Sequence, residues 1–410
     1  MSRSVVVTGR GAVTPLGENF PISWNVLIAG REARAPLDLF DTAGCRCHHA
    51  ASANLPPLPD FSAKATRRLP RASRLAIPAA REALASARLL DGEGRSRLRE
   101  LPISVSTTAG GMAFGEDFLR RVLARNHTKN RSRLFSQVSR YLPQQQVLDL
   151  QQALGFAGRS VIIANACASG ANALGHAADL ISTGSADCVL AGGVEALIEL
   201  VFVGFDCLQA TSIDRCRPFD LNRSGLLLGE AAAFLVLESS EHARRRGAMP
   251  LCELTGYGHT TDFFHLTQPQ PDGAALVEVM RAAATQARVA PAQIGYINAH
   301  GTATPVNDGV EAKAYGTFLS DDFESTRISS TKAAIGHTLG AAGAIEALFA
   351  IEALRSGRLP PQLNLQAPIA EIAPILVSPQ EVSSNLQHVM SVNLGFGGSN
   401  AALVFSRSEA

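Results

Sequence analysis

The chain has 410 residues, of which 46% are hydrophobic and 18% are charged, and its formal net charge is +1. This length is sufficient for one large domain or two fused domains with a sizeable core. A net charge so close to zero gives no overall attraction to nucleic acid or to acidic membranes. The chain shows neither a signal-peptide pattern nor an apolar run of spanning length, so we expect a cytoplasmic protein that does not enter the membrane.

The seven cysteines are scattered along the chain, at positions 45, 47, 167, 188, 207, 216 and 252. An odd number at irregular spacing is not a disulfide framework and suits a reducing compartment. Cys45 and Cys47 precede two histidines, but no second pair of ligands follows at the spacing of a zinc site. We therefore predict no metal centre.

Apolar strand segments alternate with helical segments through the first 250 residues. Residues 5–9 predict a buried strand that ends in a glycine turn at Gly9. Residues 187–193 and 231–238 predict further strands, the first of them closed by a glycine turn. A basic run without acidic residues lies between the first of these strands, at 5–9, and the second, at 187–193. Such a run is typical of a solvated helix face or of a docking site for an acidic partner; it contains Lys64, Arg67, Arg68, Arg71 and Arg74.

The segment from Val161 to His176 contains an apolar strand, an abrupt turn of small residues and the start of a helix. Cys167 lies at this turn, where unpaired backbone N–H groups and the helix macrodipole favour negative charge. A thiol in such a place is shifted towards the nucleophilic thiolate. An isolated cysteine is more often a buried structural residue, so the assignment depends on the residues that accompany it.

A second series of elements begins near residue 251 and repeats the order of the first. Residues 254–258 resemble residues 7–11, and the strand before the glycines at 397–398 resembles the strand before those at 192–193. The order of strand, turn, small-residue helix, strand and paired glycines is kept. We therefore predict an α/β protein of two fused βα repeats, residues 1–250 and 251–410, whose sheets are covered by helices.

The second repeat supplies two histidines that follow predicted strand or turn segments. His300 lies among small and hydroxylic residues, and His337 follows Lys332 by five positions, with Glu346 on the next helix able to pair with the lysine. A lone histidine here would more often be structural. Residues 391–400 form a glycine loop around Phe396, which can lend backbone N–H groups to an anion but matches no nucleotide-binding motif.

A cysteine, two imidazoles and an anion-binding loop, all at strand ends, predict acyl transfer through a thioester. The chain also resembles the elongating type of β-ketoacyl-[acyl carrier protein] synthase, in the thiolase-fold superfamily. The resemblance is nearly end to end and is carried, in order, by residues 5–11, 166–170, 298–305, 332–337 and 395–400. It implies a five-layered α-β-α-β-α arrangement.

The resemblance implies a decarboxylative Claisen condensation. Cys167 takes the acyl chain from a carrier thioester, and its backbone N–H forms an oxyanion hole with that of Phe396. His300 and His337 donate N–H groups to the malonyl thioester carbonyl and promote loss of carbon dioxide. The resulting enolate attacks the acyl group and gives a 3-oxoacyl thioester on the carrier, in fatty acid, polyene or polyketide synthesis.

The same resemblance assigns the surrounding residues. Lys332 would support the histidines electrostatically and help to keep them uncharged, with Glu346 as its partner. Ala109 is small for its position and predicts a pocket open to a longer or bulkier acyl chain. Phosphopantetheine contacts are implied for Thr267, Thr302 and Thr304, an acyl pocket for Ala109 and Phe205, and carrier docking for Lys64, Arg67 and Arg68.

The implied partner is an acyl carrier protein, which brings the phosphopantetheine, so the chain needs no cofactor of its own. We expect a homodimer, with a heterodimer containing a ketosynthase-like subunit as the alternative. The alternative function is a non-catalytic or weakly active chain-length subunit, but such subunits lack the nucleophile that Cys167 supplies. Asn165, two residues before this cysteine, stands where the family commonly has threonine.

Overall fold

The computed structural model describes residues 3–124, 140–379, 381–382 and 386–408. Its strands are β1 Val5–Val13, β2 Ala35–Pro36, β3 His49–Ala50, β4 Ile103–Ser106, β5 Ser160–Ile163, β6 Cys188–Glu195, β7 Ala231–Ser239, β8 Cys252–Thr261, β9 Ile294–Asn298, β10 Arg327–Ser329, β11 His388–Leu394 and β12 Ser399–Ser406. The helices are α1 Phe20–Ile28, α2 Ala63–Thr66, α3 Arg71–Ser86, α4 Met112–Ala124, α5 Gln144–Leu154, α6 Ser169–Ser182, α7 Glu199–Cys207, α8 Ser240–Arg245, α9 Ala274–Ala287, α10 Asn307–Leu319, α11 Lys332–Ile335 and α12 Ala342–Ser356.

Ten strands form one hydrogen-bonded sheet in the order β10-β9-β11-β12-β8-β1-β7-β6-β4-β5. It divides into two halves of the same topology, which meet where β1 pairs with β8 through residues 6–7 and 252–253. In each half the outer pairings are parallel and the two nearest the junction are antiparallel. The two predicted βα repeats are therefore visible as one strand order used twice.

Helices fill the space between the halves and cover their outer faces. α6 and α12 pack against each other and contact strands of both halves, and their apolar residues form the central core. α3 and α5 cover the outer face of the first half, and α9 and α10 cover that of the second. This is the five-layered α-β-α-β-α arrangement that the resemblance implied. Within the described residues, no helix is both long and apolar enough to cross a bilayer.

Several glycines predicted to form turns lie inside strands instead. β1 continues past Gly9, because this residue lies directly under a helix: a Cβ there would be 2.3 Å from the carbonyl oxygen of Ala83 in α3. Gly256 in β8 has the same relation to Ala283 of α9, at 2.1 Å. β6 likewise runs through residues 192–193 without the predicted turn. In these strands glycine allows close backbone approach rather than a change of direction.

The two central helices also approach each other through glycine. A Cβ at Gly170 of α6 would lie 2.6 Å from the backbone nitrogen of Ala344, and one at Gly343 of α12 would lie 2.3 Å from that of Ala171. A larger side chain at either position would force the helices apart. The separation between the two halves of the molecule is thus set by backbone contact.

Gly343→Ala is expected to destabilise the protein, because the added methyl group has no space between α6 and α12. Overpacking of this kind costs about 1–3 kcal/mol. Gly316→Ala in α10 is the matched control, since a Cβ there meets none of the described atoms within 4 Å, and alanine favours the helix by up to about 1 kcal/mol. Denaturant unfolding measures both variants, and equal losses of stability would contradict the packing explanation.

Candidate active site

Cys167 lies at the turn between β5 and α6. The residue before it is strained, since Ala166 has a φ of +59°, which non-glycine residues rarely adopt. Ser169 holds the turn: its hydroxyl donates to the carbonyl oxygen of Ala166 at 2.5 Å and accepts the N–H of Asn165 at 2.8 Å. The side chain of Cys167 is buried and faces a cavity between the two halves of the molecule.

The structure contradicts the expectation that this thiol is acidic. Burial raises the pKa of Cys167 to about 12, although Lys332 and the backbone N–H of Phe396 act in the opposite direction. Removal from water disfavours the thiolate more than the nearby positive groups stabilise it. Cys167 therefore rests as a neutral thiol, and its proton must leave when the sulfur attacks.

His337 is in direct contact with the sulfur. Its Nε2 lies 3.0 Å from Sγ of Cys167, and its Nδ1 accepts a hydrogen bond from the N–H of Leu339 at 3.2 Å. An accepting Nδ1 places the proton of the neutral ring on Nε2. Burial, followed by the charge of Lys332, lowers the pKa of His337 well below its ordinary value. The ring is thus a neutral N–H donor that faces the cavity.

His300 follows β9 and meets His337 edge to face, with ring centroids 5.3 Å apart and planes at 84°. Burial lowers the pKa of His300 well below its ordinary value, and Lys332 and His337 add to this effect. Both imidazoles are therefore uncharged at neutral pH. Burial is the larger cause of these lowered pKa values, whereas the sequence analysis had attributed the neutral state of the rings to the charge of Lys332.

Lys332 and Glu346 form a completely buried ion pair. The second carboxylate oxygen of Glu346 accepts a hydrogen bond from the amide of Asn393 at 2.6 Å. Removing one partner of such a pair would leave the other as an uncompensated buried charge. The pair therefore fixes a lysine ammonium near the two imidazoles while remaining neutral as a unit.

The glycine loop around Phe396 joins β11 to β12 and packs on the nucleophile turn. The backbone N–H of Phe396 donates towards the sulfur of Cys167. Gly397 and Gly398 both have positive φ, and the N–H of Gly397 donates to the carbonyl oxygen of Leu266 at 2.7 Å. This loop needs glycine because its backbone both turns sharply and lies close to another segment.

The cavity in front of the sulfur has a volume of about 240 Å³. Among the residues that the structure describes, Lys332 and Glu346 do not line this cavity. The predicted site residues that line it are Cys167, Phe205, Thr267, His300, Thr302, Thr304, His337 and Phe396.

The two residues assigned to an acyl pocket lie in different places. Phe205 stacks on Phe396, with ring centroids 5.6 Å apart. Ala109 does not line the cavity in front of Cys167, as far as the described residues define it. Its neighbours at 110–111 line a second cavity of about 250 Å³, so its role in an acyl pocket stays a prediction.

A buried carboxylate that was not predicted from the sequence joins the two halves at the site. Glu195, the last residue of β6, accepts the N–H of Thr108 at 2.7 Å and that of Gly340 at 2.9 Å. Gly340 follows His337 by three residues, so this carboxylate ties the histidine turn to the first half. An acidic residue inside an otherwise apolar run, residues 188–198, was the only sequence signal.

A second carboxylate of this kind holds the His300 turn. Glu311 in α10 accepts the backbone N–H groups of His300 at 2.9 Å and Gly301 at 2.6 Å. Burial raises the pKa of Glu311 to about 7, and the neighbouring Asp308 acts in the same direction. Asp308 itself accepts the N–H of Ala303, a residue with a φ of +65°. These bonds stabilise a backbone path that would otherwise be strained.

The basic run divides into an exposed and an inward-facing part. Lys64, Arg67 and Arg68 are exposed on and just after α2, and none forms an ion pair with a described residue. Arg71 turns inward and pairs with the buried Glu230. Lys64, Arg67 and Arg68 are therefore the fully exposed part of the run and can contact another molecule.

Comparison with known proteins gives a match along the chain. Residues 2–243 match the family described as Beta-ketoacyl synthase, N-terminal domain, and residues 251–366 match its C-terminal domain. The 3-oxoacyl-[acyl-carrier-protein] synthase 2 of Staphylococcus aureus (strain COL) is 33% identical over 416 residues, covering 100% of this chain and 99% of the relative.

Two solved structures are similar over the full length of both chains. The ishigamide ketosynthase/chain length factor has a TM-score of 0.89 at 29% identity, with 100% of each chain covered. A type II polyketide synthase ketosynthase, solved with its acyl-carrier protein and bound to the hexaketide (AntDE:AntF), has a TM-score of 0.87 at 27% identity, again with 100% of each chain covered. With both family domains matched and the cysteine and two histidines gathered in one cavity, the chain belongs to the β-ketoacyl synthase family.

Proposed function

We propose that the chain condenses an acyl group carried on Cys167 with malonyl-acyl carrier protein, releasing carbon dioxide and a 3-oxoacyl-acyl carrier protein. The observation that carries this proposal is the meeting of one thiol and two neutral imidazoles in one cavity. Nε2 of His337 lies 3.0 Å from the sulfur, and the ring of His300 lies beside that of His337. Such a set suits thioester exchange followed by stabilisation of an enolate.

Acyl loading begins with attack of the Cys167 sulfur on the carbonyl carbon of the carrier thioester. The carbonyl π electrons move to oxygen, and the resulting oxyanion is bound by the N–H groups of Cys167 and Phe396. The carbonyl then re-forms, the bond to the phosphopantetheine sulfur breaks, and the departing thiolate takes the proton that the cysteine loses. A raised thiol pKa is compatible with this step, because the cysteine gives up its proton only as it reacts. The small fraction of thiolate carries out the attack, and this fraction grows as pH rises.

Decarboxylation then uses the imidazoles. The N–H groups of His300 and His337 bind the malonyl thioester oxygen, and the bond to the carboxylate carbon breaks to release carbon dioxide. The electron pair left behind forms an enolate whose negative oxygen the two donors stabilise. Attack of its carbon on the acyl-cysteine carbonyl forms the new carbon–carbon bond. Collapse of the tetrahedral intermediate then expels the Cys167 sulfur as a thiolate, which takes up a proton from solvent and returns to the neutral thiol.

Lys332 and Glu346 act on this step through the histidines. The lysine charge opposes protonation of both rings, in the same direction as burial. A protonated imidazole would still donate hydrogen bonds, but it could give its proton to the enolate and so quench the nucleophile. Keeping the rings neutral therefore protects the carbon–carbon bond-forming step.

The cavity has the features required by a phosphopantetheine arm and an acyl chain. The hydroxyls of Thr302 and Thr304 lie 2.9 Å apart in its wall, beside Thr267, and supply hydrogen-bonding groups to an amide-rich arm. Cys167 also belongs to an apolar cluster that includes Leu197 and Phe202. An acyl group attached to the sulfur would extend into this cluster. Because the carrier protein brings the phosphopantetheine, we propose that the enzyme needs no cofactor of its own.

The alternative function, a non-catalytic chain-length subunit, is disfavoured by the complete set around the sulfur. A subunit without catalysis has no requirement for Cys167, for the buried Lys332–Glu346 pair or for two uncharged imidazoles.

Homodimer formation remains our first expectation, and a heterodimer with a ketosynthase-like chain is the second. A cytoplasmic location stays a prediction, supported by seven cysteines that are all free thiols.

Cys167→Ala is expected to abolish acyl loading and to reduce condensation by at least about 10³-fold, while malonyl decarboxylation persists. Mass spectrometry of the intact protein measures loading, and carbon dioxide release measures decarboxylation. Cys216→Ala is the matched control, because this cysteine is also buried and burial raises its pKa to about 12 too, but it does not line the cavity. Loading that survives in Cys167→Ala would remove the proposed nucleophile.

The two half-reactions are expected to respond differently to pH. Because burial raises the Cys167 pKa to about 12, the thiol stays protonated through the neutral range and loading should accelerate as pH rises. Because the pKa values of His300 and His337 are lowered well below 6.5, the rings stay neutral on mild acidification. Decarboxylation should therefore remain level between about pH 6 and 8, and a fall across that range would show a histidine that titrates normally.

Charge reversal on the exposed basic patch is expected to weaken use of the carrier protein. Arg67→Glu should raise KM for malonyl-acyl carrier protein about fivefold at low salt, roughly 1 kcal/mol, with kcat unchanged. KM for a malonyl-pantetheine thioester without carrier should not change. Arg244→Glu, also exposed but on α8, is the control. Equal effects of the two variants, or an effect on the carrier-free substrate, would argue against docking at this patch.

A further inference from the structure

Asn165 connects the two segments that carry the proposed oxyanion donors. Its side-chain amide donates a hydrogen bond to the hydroxyl of Ser399 at 2.9 Å, across 234 positions of sequence. Asn165 lies two residues before Cys167 in the nucleophile turn, and Ser399 directly follows the glycine loop that contains Phe396. One side chain therefore bridges the turn that supplies one N–H group and the loop that supplies the other.

Backbone contacts show how closely these two segments pack. A Cβ at Gly395 would lie 3.3 Å from the carbonyl oxygen of Asn165 and 3.3 Å from the nitrogen of Cys167. The loop is also closed on itself, since the N–H of Gly395 donates to the carbonyl oxygen of Ser399 at 2.7 Å. A hydrogen bond to the Ser399 side chain thus fixes the position of the whole loop against the turn.

The rest of the Asn165 side chain is not well satisfied. Its Oδ1 is buried and has no hydrogen-bond partner among the described residues. An unpaired buried amide oxygen costs free energy, so an asparagine here is not explained by stability alone. Its backbone N–H is nevertheless held by Ser169 at 2.8 Å, which orients the side chain towards Ser399.

We propose that Asn165 is a positioning residue for transfer of the acyl group onto Cys167, an inference that rests on the function proposed above. The bond from Asn165 to Ser399 sets the spacing between the N–H groups of Cys167 and Phe396. Both donors then reach the same carbonyl oxygen as it becomes an oxyanion. The two histidines bind the malonyl carbonyl instead, so loss of this bond slows loading without slowing decarboxylation.

Asn165→Ala and Ser399→Ala, singly and combined, test this role in the full-length protein. Complete loss of an oxyanion donor costs about 10²–10³-fold in rate, and we expect a displaced donor to slow acyl loading by about tenfold. Decarboxylation of malonyl-acyl carrier protein should be unchanged. If one hydrogen bond is responsible, the double variant should load no more slowly than the slower single variant.

Thr326→Ala is the matched control, because it removes a buried hydroxyl that donates a hydrogen bond to the carbonyl oxygen of Ile294 at 2.7 Å. Thr326 directly precedes β10, and His337 follows the opposite end of that strand. This variant should leave the ratio of loading to decarboxylation unchanged. Three results would overturn the positioning role. These are equal slowing of loading and decarboxylation in Asn165→Ala, normal loading in Asn165→Ala, or a loss of loading rate in the double variant equal to the product of the two single losses. Failure of the unmodified protein to load Cys167 would instead overturn the proposed function.

Discussion

The chemistry of this site depends on how closely the two halves of the molecule approach each other. The nucleophile belongs to the first half, whereas both histidines and the glycine loop belong to the second. Gly170 and Gly343 allow α6 and α12 to meet backbone to backbone, with no side chain between them. The contact between Cys167 and His337 is therefore fixed by packing of the main chain and not by adjustable side chains. A wider junction would separate the thiol from its partner before it affected the fold of either half.

Burial at this junction has opposite consequences for the two kinds of titratable group. It raises the pKa of Cys167 and lowers those of His300 and His337, because in each case the charged form loses the most by leaving water. All three groups therefore rest uncharged, and the buried Lys332–Glu346 pair beside them carries no net charge as a unit. A neutral site of this kind admits the uncharged acyl thioester without a large desolvation cost and reserves its hydrogen-bond donors for oxygens that become negative during the reaction.

Each functional residue lies near backbone that is held in an unfavourable conformation. Ala166, Ala303 and Leu339 all have positive φ, next to or near the cysteine and the two histidines respectively. Such conformations persist only where the surroundings determine them. Buried carboxylates do this here by accepting backbone N–H groups, with Glu195 holding the turn after His337 and Glu311 holding that of His300. Precise placement of the reacting groups is thus achieved by polar contacts to the main chain.

The sequence alone determined the features that depend on local pattern. The strand–turn–helix around Cys167, the histidines at predicted strand ends, the repeated order of elements and the family resemblance are all legible from neighbouring residues. Only the tertiary structure decided the direction in which the pKa of the Cys167 thiol is shifted. Burial by distant segments raises this pKa and outweighs the favourable helix terminus on which the expectation relied. The same reason applies to Gly9 and Gly256, whose close contacts come from the helices α3 and α9, and to Glu195 and Asn165. Their partners lie 145 and 234 positions away, and spacing in a single sequence does not reveal which distant residue will complete a hydrogen bond.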